Sequence, residues 1–196
     1  MKSYSGPVFG GHQLEVDWND REGKAFIKET RTLKAFSQPD GTLLIEFQSE
    51  LKPLVDKIKL TGDRQHAGVQ FRAAQEVADN QKKTRYLRPK GWDRLDPKKQ
   101  YNDKKHMDLP WNAIQYDIGD QGYTVAYLSD PKNPGGAEFS ERLYGRFGEF
   151  FHYELTKEKP LKVRYRWWIK DSRKVSRQDV DVRYSDLAQP VKVSLK

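Results

Sequence analysis

The reactive side chains of this sequence concentrate in Gly62–Ala73. Read with the two-residue period of a strand, Ala67, Val69, Phe71 and Ala73 form an apolar face, and His66, Gly68, Gln70 and Arg72 form the opposite one. An imidazole, an amide and a guanidinium on one face suit recognition. His66 is the candidate catalytic residue, because an imidazole with a pKa near ~6.5 exchanges protons at neutral pH. Gln70 would hold hydroxyls and Arg72 a carboxylate. A solvated outer face with a backbone-bonded histidine fits the same residues and stays open beside the functional reading.

Two further groups have chemical potential. In Glu141–Gly148, an extended backbone puts Arg142, Tyr144 and Arg146 on one face, where two guanidiniums flanking a phenol suit an anion or a sugar hydroxyl. An edge strand with arginines reaching to solvent is the plainer alternative. In Pro110-Trp111-Asn112, Trp111 would stack on a sugar ring and Asn112 would fix a hydroxyl, unless the tryptophan is simply core. Glu76 and Glu141 are the carboxylates nearest these faces in sequence, without forming an evident hydrolytic pair.

The common catalytic signatures are absent: no phosphate-cradling glycine loop, dinucleotide fingerprint, His-Glu-x-x-His helix or Gly-x-Ser-x-Gly elbow. His12, His66, His106 and His152 show no metal-ligand spacing, and the residues specify no cofactor. With no cysteine, thiolate chemistry and disulfides are excluded. No apolar run approaches the ~20 residues of a membrane span, and the first residues lack the apolar core of a signal peptide.

The elements that must position these residues are mostly strands. The 196 residues are 12% aromatic, so the core is built from rings and β-branched side chains, which suit pleated sheets. Strands are expected at 12–18, 24–36, 42–48, 54–60, 66–73, 86–88, 109–116 and 123–128. Residues 139–155 are expected to bend at Gly145 and Gly148, and 161–169 to alternate cleanly. Turns fall at 19–23, 38–41 and 119–122. Residues 79–108 read as a long basic excursion from the sheet, with Lys82-Lys83, Lys98-Lys99 and Lys104-Lys105 its densest charge, and Trp92 and Tyr101 packed. Ser176 with Asp179 marks a short helix near 176–187. The expected fold is all-β: one antiparallel β-sandwich domain over 1–196 with one short helix near the C-terminus.

Gly62–Ala73, Tyr86-Leu87-Arg88-Pro89, Asp108–Ala113 and Ser140–Gly148 follow one another as in a bacterial family, the PmoA-like proteins. This family carries the label "methane oxygenase PmoA" and is common in planctomycetes. The resemblance covers about residues 24–190. A methane monooxygenase subunit is an integral membrane protein, so the label reads as an inherited name. The resemblance implies a secreted or periplasmic sandwich similar to galactose-mutarotase-like supersandwiches, in carbohydrate-utilisation settings. Full-length members carry an upstream signal peptide and a His-Pro-His-His-type motif. Neither is in this sequence, which implies an N-terminally truncated chain.

The expected function is a carbohydrate-active sandwich that binds or acts on a saccharide or uronate. His66 would be acid or base, with Gln70, Arg72, Trp111, Asn112, Arg142, Tyr144 and Arg146 lining one concave face. Epimerase, lyase and hydrolase chemistry all remain open. A non-catalytic carbohydrate- or polymer-binding module is the alternative. A nucleic-acid-binding protein, resting on the net charge of +8, ranks below both, because basic and aromatic residues do not interleave on any strand face.

Overall fold

The computed structural model describes residues 1–63, 65–92 and 107–190. In chain order the elements are β1 (Lys2–Ser5), β2 (Phe9–Asn19), β3 (Ala25–Ser37), β4 (Leu43–Pro53), β5 (Lys57–Leu60), β6 (Val69–Arg72) and α1 (Gln75–Asp79). Then come β7 (Arg85–Leu87), β8 (Trp111–Ile118), β9 (Gln121–Ser129), β10 (Glu138–Arg142), β11 (Arg146–Phe150), β12 (Tyr153–Thr156), β13 (Leu161–Lys170) and α2 (Arg177–Ala188). Eight strands form one sheet in the order β1-β2-β3-β4-β13-β9-β8-β7; β10-β11-β6 and β12-β5 form two smaller ones. The pairings are antiparallel, and the fold is the all-β sandwich expected.

The hairpins form where side chains satisfy the turning backbone. Asp20 Oδ1 accepts from the amides of Glu22 and Lys24, each at 2.9 Å, closing β2 onto β3. At the next turn Gly41 adopts φ +75°, which a side chain would resist. β13 shows how the layers are built. Val163, Tyr165 and Trp167 face the sandwich interior, and Trp168, on the other side, is buried beneath α2. Tyr127 is the hub of the interior, with ring centroids 5.2 Å from Tyr165, 5.4 Å from Phe139 and 6.0 Å from Phe147. Helix α2 starts as its sequence dictates: Ser176 Oγ accepts from Asp179 N at 3.2 Å, and Asp179 Oδ2 accepts from Ser176 N at 2.7 Å.

Three expectations need correction. The strand expected from residue 66 begins only at Val69, because residues 65–68 are a turn. In the stretch 79–92 the strand expected at 86–88 is present as β7, which pairs with β8 at the sheet edge, but the rest is not a bare excursion: it holds the end of α1 and a 3-10 turn at Gln81–Lys83. Lys98, Lys99, Tyr101, Lys104, Lys105 and His106 lie outside the described residues. Finally, the structure holds a second short helix, α1, besides the one expected near the C-terminus, and a strand, β1, ahead of the first one expected; at five and four residues neither is long enough to show a period in the sequence.

Candidate functional site

Asp63 shapes the turn that carries His66. Its Oδ1 accepts the amides of Gln65 at 2.8 Å and His66 at 3.1 Å, and its carbonyl accepts from Ala67 N at 2.9 Å. The same carboxylate holds the imidazole, with Nδ1 2.9 Å from Oδ2. A carboxylate only accepts, so Nδ1 carries the proton, and in the neutral ring Nε2 keeps a free lone pair. The hydrogen bond from His66, with help from the Gln65 amide, holds Asp63 below the usual carboxylate range. The His66 side chain is 78% exposed, so no structural burial explains it. Gly68, at φ +77°, pins the turn to β11: a Cβ there would lie 2.0 Å from the Glu149 carbonyl oxygen.

His66 stands at the wall of a cleft of about 590 Å³ between this turn and the interior face of the large sheet. Trp18, Phe47, Phe150, Phe151 and Tyr165 supply aromatic walls; Arg31, Glu29 and Ser49 supply a polar side. Glu29 is buried yet fully partnered. It accepts from Trp18 Nε1 at 2.9 Å, from Arg31 Nε and Nη2 each at 2.8 Å, and from Ser49 Oγ at 2.7 Å. Burial pushes its carboxyl up, but the bonds from Arg31, Ser49 and Trp18 outweigh that and bring it below the usual range. This network fixes the Trp18 ring and the Arg31 fork at the cleft surface. Behind Tyr165 sits Glu149, 1% exposed, with Ser129 Oγ donating to it at 2.9 Å and Tyr165 bonded to it as well. Burial dominates there and raises this carboxyl to about 7.

The remaining expected residues do not share this cleft. In the three-stranded sheet the register aligns Arg142, Arg146 and Arg72 in one row, and Ser140, Gly148 and Gln70 in the next but one. Gln70, Arg72, Arg142 and Arg146 therefore do fall on one face, but it is the outer face of the small sheet, turned away from the interior. Tyr144 lies in the β10–β11 turn and accepts from Arg146 Nε at 3.1 Å. Adjacent strand residues point to opposite sides, so Trp111 and Asn112 part company. Trp111 is 1% exposed beneath α2 and donates to Asp181 at 2.8 Å, which corrects the expectation that it stacks on a ligand. Asn112 is buried between the sheets, where its amide and both guanidinium arms of Arg88 close on the Glu141 carboxylate. Glu76 accepts from Gly119 N at 2.7 Å. The single concave face assembled from the sequence is thus four separate places: the cleft at His66, the outer face of the small sheet, the layer under α2 at Trp111 and the interior at Asn112.

Residues 2–184 match the family of unknown function DUF6807. The chain belongs to that family. No curated protein matches the chain. For this DUF6807 member, sequence reasoning found His66 but missed Asp63, Trp18, Glu29, Arg31, Phe47 and Ser49. One signal was legible: in β3, Glu29 and Arg31 interrupt the inward-facing series that begins with Ile27 and resumes at Leu33. Among the described residues no group of three His, Asp or Glu side chains converges as a metal site, and no helix is long and apolar enough to cross a membrane.

Proposed function

We propose that this protein binds a saccharide in the cleft and acts on it with the His66–Asp63 pair. The observation that carries the reading is the cleft's lining: aromatic rings facing fixed polar groups in a volume within the ~300–1,000 Å³ of small-ligand sites. Trp18, held by Glu29 and 38% exposed, offers a ring face for a sugar's C–H surface. Arg31 and Ser49 lie beside it for hydroxyls. His66 Nε2 can take a proton from a substrate carbon or hydroxyl, while Asp63 stabilises the imidazolium that forms. A second depression, about 600 Å³ on the opposite face, is lined by Gln13, Thr32, Gln48 and Glu50 without any aromatic wall. The resemblance to PmoA-like proteins points to the same ligand class.

The test is isothermal titration of the parent, Trp18→Ala and His66→Ala with neutral sugars and uronates, followed by product analysis on any ligand found. Trp18→Ala should abolish binding. His66→Ala should retain binding and lose turnover. Binding by both parent and His66→Ala with no turnover in either leaves a non-catalytic saccharide-binding module, the second reading, which the same aromatic wall supports. No heat with any sugar overturns both.

A further inference from the structure

Of the two charged groups in the wall of the cleft, one is fully engaged and the other is not. Beside the His66 imidazole, Glu29 and Arg31 are the only charged side chains among the described residues of that wall. An ionised carboxylate accepts at about four lone-pair positions. In Glu29, Oε1 takes Arg31 Nε and Ser49 Oγ, and Oε2 takes Trp18 Nε1 and Arg31 Nη2, so all of them are filled. Asp63 is outside the wall, bound to His66 and the amides of its turn. Glu149 stands behind Tyr165.

Arg31 keeps donors to spare. Its Nε and one N–H of Nη2 go to Glu29. Both N–H groups of Nη1 and the second of Nη2 have no partner among the described residues. The guanidinium is therefore left with its end-on fork, two parallel N–H groups that match the two oxygens of a carboxylate. The side chain is 37% exposed and lines the cleft, so a ligand can reach it. It is also held in place: Glu29 grips one side, and Cζ lies 5.9 Å from the centroid of the Phe47 ring. A fork already fixed loses little conformational freedom when a ligand arrives.

We infer that the ligand of the cleft is a sugar acid, its carboxylate on the end-on fork of Arg31 and its ring face on Trp18. This rests on the saccharide reading of the cleft and narrows it to uronates rather than neutral sugars. Trp18 and Arg31 are both bonded to Glu29, which sets the stacking surface and the anion fork side by side. Glu29 offsets part of the positive charge of Arg31, so the advantage of a carboxylate comes from the bidentate contact itself.

The test is titration calorimetry of the full chain with sodium galacturonate and sodium glucuronate, each beside its uncharged methyl ester, for the parent, Arg31→Gln and Arg31→Lys. The ester keeps the ring and its hydroxyls and removes the charge. In the parent at least one acid should bind about tenfold or more tighter than its ester. That advantage should disappear in Arg31→Gln. It should mostly disappear in Arg31→Lys, which keeps a cation beside Glu29 but has no fork. The ratio of acid to ester decides, so a general loss of affinity from a loosened Trp18 ring does not imitate the result. Binding of esters or neutral sugars with no advantage for the acid, or an advantage unchanged in both variants, overturns the inference while the saccharide reading stands. No binding of any of these ligands overturns both.

Discussion

Replacing Glu149 by glutamine should change how stability depends on pH, because its carboxyl is closed off behind Tyr165 and raised from 4.5 to about 7. That displacement is worth about 3 kcal/mol, at about 1.4 kcal/mol per pH unit. The folded value is the higher one, so the folded protein holds the proton more tightly than the unfolded chain. The stabilisation from the protonated carboxyl is complete below pH 4.5, and is lost progressively as pH rises to about 7. In Glu149→Gln, the amide keeps a donor and an acceptor for Ser129 and Tyr165 but carries no charge at any pH. Urea unfolding followed by tryptophan fluorescence, from pH 4 to pH 8, gives the stability of both proteins. The variant's stability relative to the parent should climb by about 3 kcal/mol across that range. Contributions from every other group are common to both proteins and cancel in the difference. Parallel profiles would refute the reasoning, since they would mean that water reaches the carboxylate and solvates its charge.

Two more outcomes follow from burial. Trp111→Ala should cost about 3–5 kcal/mol in unfolding experiments and leave saccharide affinity intact, because the ring fills the layer under α2 and touches no cleft. Glu141→Gln should cost a similar ~3–5 kcal/mol by stranding the Arg88 guanidinium in the interior, and the double variant Arg88→Met/Glu141→Leu should recover most of that loss. Additive losses in the double variant would show that the pair contributes through packing rather than through charge.

What the sequence determined by itself was everything governed by neighbours a few residues apart. Alternation placed β13 with Tyr165 and Trp167 on one side and Trp168 on the other, as observed. Ser176 and Asp179 announced α2, because a capping box is a purely local exchange of hydrogen bonds. The opposite destinations of Trp111 and Asn112 were also implicit, since neighbours in a strand cannot share a face. The failure at His66 came from a local competitor: Asp63 offers its carboxylate to the following amides and turns the chain before the strand begins. The rest required the tertiary structure. The arginine row exists only because β6 pairs with β11 in one register, and a one-residue slip would send Arg72 to the interior. The Glu29 network joins side chains from β2, β3 and β4. The high pKa of Glu149 likewise reflects water excluded by residues distant in the chain. Burial and cross-strand pairing belong to the assembled sheets, so no local pattern could specify them.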